Sequence, residues 1–166
     1  MAYRNKTYII FDGDNDMWAY GYMKGWKTSE HVDFDFNDAH DLKPLTDQAS
    51  EETVKRSLRT RFSNAKQVIV IVGEKTKNLY RFVRWEIDVA ISLGLPVVVV
   101  NLNGTRKLDT ERCPPILKGH PAVHVSFKKD IIKYALDDFV DSFVNLEASG
   151  QTDFYYKDSI YTSLGL

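Results

Sequence analysis

Two groups of residues have the types and spacing to do chemistry. The first is the run Asp12-Gly13-Asp14-Asn15-Asp16, three carboxylates separated by small or polar residues, directly after an apolar stretch. Alternating carboxylates can ligate a hard cation, but a calcium loop also needs a further glycine and a distal glutamate that this run lacks, so no metal is expected. The structural alternative is a tight turn at Gly13 with Asp14 or Asp16 capping the next helix, and a capping residue can still line a pocket. The second group centres on Glu86. With Val83 set at zero and about 100° per residue, Ile87 and Ala90 fall near the same direction and Glu86 falls between Ala90 and Phe82. This carboxylate therefore borders the apolar face, while Arg81, Arg84, Trp85 and Asp88 take the other side. A carboxylate among Val, Ile, Phe and Ala loses hydration unless it is paired or works in a cleft, so a salt bridge to a nearby Arg or Lys is the structural alternative to catalysis. Cys113 as a nucleophile is a weaker candidate, because Cys-Pro-Pro reads as a rigid surface turn.

The elements that carry these residues alternate. Apolar runs of strand length lie at residues 8–11, 32–36, 68–72, 97–100 and 122–127, and the third and fourth are nearly unbroken Val and Ile, as in strands buried on both faces. Helices are predicted over 17–26, over 50–64 with Ser50 as N-cap followed by Glu51 and Glu52, over 79–93 ending at Gly94 before Pro96, and over 130–147. Alternating strand and helix implies a doubly wound, flavodoxin-like α/β sheet of five parallel strands in the order 2-1-3-4-5, with helices on both faces. Two long segments, 37–49 and 101–121, follow the second and fourth strands on the carboxyl side, where open α/β sheets bind ligands. The second is expected to hold a short irregular helix. Residues 1–148 read as one domain, and 149–166 as an aromatic tail that packs on the domain or on a partner.

A phosphoacceptor receiver shares this fold and begins with an acidic pair in the same place. Its third strand must end in an aspartate nucleophile, whereas this one runs Ile69-Val70-Ile71-Val72-Gly73-Glu74; Lys128 and Lys129 cannot replace the missing acceptor. Glycine-rich phosphate loops are also missing. With 22 basic and 23 acidic residues the net charge is -1, which gives no general field for nucleic acid or anionic membranes, and neither is expected as a partner. The longest apolar stretches are too short to span a bilayer. One cysteine excludes an internal disulfide framework, and with no apolar leader the expected compartment is the cytoplasm.

The run Val70-Ile71-Val72-Gly73-Glu74-Lys75-Thr76, then Phe82-Val83-Arg84-Trp85-Glu86-Ile87 with Ala90, then Gly94-Leu95-Pro96-Val97-Val98-Val99, resembles the TIR-like domain of bacterial Thoeris antiphage systems. Phe11-Asp12 with Asp14 and Asp16 is similar to that family's first-strand end, Ser57-Leu58-Arg59-Thr60-Arg61 to its second helix, and the likeness spans about residues 6–127. The resemblance implies a glutamate on the third helix facing a pocket where NAD, as substrate and not cofactor, loses nicotinamide; Glu86 holds that position. Phe11 and Trp85 are the expected stacking faces. Asp12, Gly13, Asp14 and Asp16 line the substrate, the carboxylates meeting ribose hydroxyls, and Asn37 joins them from the head of the long loop. The acidic run departs from the more neutral serine and aromatic residues of other TIR domains, and carboxylates facing a diphosphate would repel it. The resemblance further implies an ADP-ribose-derived, cyclised or conjugated signal for a separate effector, and homo-oligomeric assembly through the 37–49 loop. The alternatives are a TIR-like nucleotide-binding or interaction module without turnover, and a nucleoside deoxyribosyltransferase, which would exchange bases on deoxynucleosides.

Overall fold

The valine-rich runs form the middle of a parallel sheet in the computed structural model, which describes residues 7–28, 36–38, 50–79 and 81–166. Strands β1 (Thr7–Ile10), β2 (Phe36–Asp38), β3 (Gln67–Val72), β4 (Val97–Asn101), β5 (Val123–Ser126) and β6 (Phe154–Tyr155) are ordered β2-β1-β3-β4-β5-β6, every neighbouring pair parallel. All residues of β3 and β4 are buried, as unbroken apolar runs require. Successive side chains alternate between two cores. Ile9, Ile69, Ile71, Val98 and Val100 pack under α1 (Met17–Thr28) and α4 (Lys129–Ala148). Tyr8, Ile10, Val68, Val70 and Val99 pack under α2 (Glu51–Phe62) and α3 (Phe82–Ser92).

Helix boundaries follow from local chemistry. Ser50 caps α2, its hydroxyl accepting from the Thr53 amide at 3.2 Å. The third helix begins three residues later than the sequence suggests. Thr76–Asn78 forms a 3-10 turn first, and Arg81 has non-helical angles (φ -110°, ψ -102°), so regular helix starts only at Phe82. It stops before Gly94, whose φ of +68° suits glycine, and Pro96 prevents continuation.

Three expectations change. The apolar pattern puts the second strand at 32–36, but the observed strand is Phe36–Asp38; residues 29–35 lie outside the described residues. Asn37 and Asp38 have weak strand preference, yet pairing with Tyr8 and Ile9 in register overrides it. The expected loop at 37–49 therefore begins as strand, and its residues 39–49 also lie outside the described residues. The segment Cys113-Pro114 is not a surface turn: both residues are buried, and Pro115–Leu117 forms a 3-10 turn with Leu117 buried beneath it. Finally, the sheet has a sixth strand. The segment after α4 supplies β6 on the β5 edge and α5 (Asp158–Ser163), where Tyr161 is fully buried and accepts a hydrogen bond from the Ser126 amide at 3.2 Å.

The 101–121 segment is held by two polar residues. The Asn101 side-chain amide donates to the carbonyls of Thr105 and Lys107, both at 3.0 Å. The Asp109 carboxylate accepts from the Glu111 and Arg112 amides and from Asn103. Burial pushes Asp109 up, but the Arg112 amide, Asn103 and Glu111 outweigh it and hold it below the usual carboxylate range.

Candidate active site

Chain reversal between β2-β1 and β3-β4 opens a crevice at the carboxyl ends of β1 and β3, where α1 leaves on one face and α3 on the other. A cleft of about 440 Å³ occupies the α3 side. Phe11, Asp12, Gly13 and Asp14 form one wall; Arg81, Phe82, Val83 and Glu86 form the other, with Asn78 and Leu79 at the end. Val83 is buried and Glu86 half-buried, consistent with a carboxylate on the border of the apolar stripe.

The acidic turn is built mainly by its first member. Asp12 is 2% exposed; its Oδ1 accepts from the Asp14 amide at 3.0 Å and the Asn15 amide at 3.2 Å, and its Oδ2 from the Asn15 side chain at 2.6 Å. These bonds hold the turn that lets Gly13 and Asp14 face the cleft and spread the Asp12 charge over three donors. Asp14 is exposed at the rim.

Asp16 takes a different path. Its carboxylate lies against Gly73 at the end of β3, where a Cβ would come within 2.2 Å of Oδ2, and the Thr76 hydroxyl donates to it at 3.4 Å. Thr76 Oγ1 in turn accepts from the Gly73 amide at 2.9 Å. Only a residue without a side chain fits under Asp16, which is the physical reason for Gly73. Burial, then the nearby Asp12 charge, raises the Asp16 carboxyl above its ordinary range, and the Thr76 hydroxyl partly offsets them. Asp16 is thus a latch between the β1 and β3 ends and does not line the Glu86 cleft.

Two further expected contacts also differ. Trp85 packs edge-on against Phe82, with centroids 5.5 Å apart, beneath the Arg81 guanidinium, and does not line the cleft. Phe11 does line it, but is 3% exposed and stacked on Tyr20 at 4.8 Å, so much of its ring is used in packing. Asn78, Leu79, Arg81, Phe82 and Val83 line the cleft and lie outside the site expected from the sequence, Arg81 and Phe82 being the two with charge or an aromatic ring to offer a ligand. Arg81 falls on the polar side of an ideal helix through residues 79–93, but the 3-10 turn at Thr76–Asn78 comes first and leaves Arg81 outside the regular helix; nothing in the local sequence marks that turn. For Asn37 the backbone register beside Tyr8 places it in β2, next to the crevice-forming β1.

Among the described residues no cluster of three or more His, Cys, Asp or Glu side chains can hold a metal ion. Cys113 is 1% exposed and its thiol is pushed up to about 12, chiefly by burial, so it stays protonated and unreactive at neutral pH. No described helix is long and apolar enough to cross a membrane.

A parallel sheet in this order, with a glutamate from the third helix and a glycine-bearing turn from the first strand around one crevice, defines an α/β domain of the TIR-like, flavodoxin-like class. The family model described as the Thoeris protein ThsB TIR-like domain matches residues 8–107, more than half of the 166-residue chain. The chain belongs to that family, which supports a role in Thoeris antiphage defence. The matched span covers every residue of the Glu86 cleft.

Proposed function

We propose that this protein cleaves NAD at the bond between nicotinamide and ribose, with Glu86 as the catalytic residue, and passes on an ADP-ribose-derived signal to a separate effector. The observation that carries this reading is the position of Glu86, a half-buried carboxylate facing the acidic turn across a cleft of about 440 Å³, a size suited to a small-molecule ligand.

Breaking the bond between ribose C1′ and the pyridinium nitrogen sends the bonding pair to nicotinamide, which leaves neutral and needs no general acid. Positive charge develops on C1′ and the ring oxygen. A carboxylate beside that position stabilises it and orients the ribose hydroxyls, an effect amplified where water is partly excluded. The vacant C1′ then takes water, giving ADP-ribose and a proton, or a nucleophile of the same molecule, giving a cyclic product and a proton. Arg81 is the cation in the cleft wall that can meet the diphosphate, and Phe82 offers an aromatic wall. With two of the three turn carboxylates already committed to Asp14, Asn15 and Thr76, repulsion of the diphosphate falls mainly to Asp14 at the rim.

Incubation of the purified protein with NAD, followed by chromatography, tests the reading. It predicts nicotinamide with an ADP-ribose-type product; NAD binding without turnover would instead make the chain a nucleotide-binding TIR-like module.

A further inference from the structure

The acidic turn has a second side. Across it from the Glu86 cleft, on the α1 face of the crevice, lies a separate cleft of about 390 Å³ lined by Asn15, Asp16, Trp18, Lys75, Leu102 and Arg112, with Gly73 and Glu74 between them. The Asp16 carboxylate, seated on Gly73 and bonded to Thr76, closes the seam between the two clefts. Neither cleft shares a lining residue with the other.

The side chains around this cleft are complementary to one chemical class. Trp18 is 51% exposed although it is an indole, and T-shaped contacts with Tyr22 and Phe127, at 6.2 and 5.8 Å, fix its orientation. It offers exposed aromatic surface to a planar ring. Lys75 and Arg112 come from the β3 end and the 101–121 segment; among the described residues neither is in a direct ion pair, although the Arg112 charge helps hold the Asp109 carboxyl down. The Arg112 backbone is fixed by the hydrogen bond its amide donates to the Asp109 carboxylate. Two cations on one cleft, neither held in a direct ion pair by the cleft's own Asp16 or Glu74, favour a phosphate. Glu74 in the lining can accept hydrogen bonds from the hydroxyls of a ribose diol, and Leu102 gives an apolar patch. An inorganic anion would leave Trp18 and Leu102 unused, and a neutral aromatic would leave both cations unused.

We propose that this cleft binds a nucleoside phosphate, its base on Trp18 and its phosphate between Lys75 and Arg112, at a site distinct from the Glu86 cleft. The assignment stands whether or not the chain cleaves NAD.

Calorimetric titration with AMP, which has no nicotinamide to lose, tests it directly. Trp18→Ala and Arg112→Glu should each weaken AMP binding roughly tenfold or more. Trp18→Phe, which keeps a ring, should retain most of the affinity. Titration with inorganic phosphate should give weaker binding that Arg112→Glu removes and Trp18→Ala does not. Circular dichroism on each variant separates lost binding from lost folding, and Arg112→Gln is the milder substitute if the charge reversal unfolds the chain. No AMP binding by the wild-type protein, or equal binding by folded Trp18→Ala and Arg112 variants, overturns the proposal.

Discussion

At the residue scale, the acidic turn shows how three similar side chains acquire different work. Asp12 folds the turn, Asp14 meets solvent, and Asp16 is buried against Gly73. Asp16 has a consequence for stability. Its carboxyl is raised in the folded state by burial and by Asp12, so the folded protein binds its proton more tightly than the unfolded chain does. Its contribution is therefore fully present below the unfolded carboxyl value near 3.8 and is lost as pH rises through the raised folded value. Asp16→Asn keeps an acceptor for Thr76 and removes the charge. Because His124 and Asp109 are lowered and make stability rise with pH, the Asp16 contribution is read as a difference: in urea unfolding across this pH range the stability of the wild-type protein relative to Asp16→Asn should fall as pH rises, with the variant at least as stable at pH 7. The sequence made Asp16 legible as a cap or a ligand contact but not as a latch, because its partners Gly73 and Thr76 lie some sixty residues away and nothing local marks their approach.

At the element scale, the interior strands and the α2 cap were legible because they rest on local chemistry: unbroken Val and Ile in β3 and β4, and Ser50 before two glutamates. The start of α3 and the position of β2 were not, since one depends on a 3-10 turn inserted ahead of the helix and the other on register with β1. That one-turn delay is what brings Arg81 to the cleft. The tail's aromatic content signalled packing, but two residues of strand are too few to read from a sequence. Tyr161 is the tail's anchor. Its ring is fully buried under the Arg106 guanidinium at 4.1 Å, and its hydroxyl satisfies the Ser126 amide at the end of β5. Removing the ring should cost about 3–5 kcal/mol, as for other buried aromatics cut to alanine. Tyr161→Phe should cost about 1–3 kcal/mol, because it leaves a buried N–H without its acceptor. Denaturant melts of both variants check the order; equal and negligible losses would show that the tail is dispensable to the fold. In β5, His124 is fully buried and its imidazole is lowered to about 4, mainly by burial, so it is neutral at pH 7 despite Asp153 at 3.6 Å.

At the scale of the whole molecule, the fold places two clefts at one carboxyl edge, and the family match spans the first of them completely. A domain whose proposed product is a signal needs restraint on its activity, and the resemblance implies that assembly supplies it, since only the competent fraction of a population turns over substrate. Nicotinamide release per chain should therefore rise with protein concentration, and replacing Leu42 and Leu45 with polar residues should lower it; constant turnover per chain across a wide dilution series would remove assembly from the account. Catalysis by Glu86 is a separate claim and has a sharper test. Gln at position 86 keeps the size and hydrogen-bonding shape of the side chain and deletes its charge. Product chromatography on matched, folded preparations of the wild-type protein and Glu86→Gln, at a concentration where the wild-type protein releases nicotinamide from NAD, should show turnover reduced by roughly a hundredfold or more in the variant. Nicotinamide release by Glu86→Gln at the wild-type rate would contradict the assignment of Glu86.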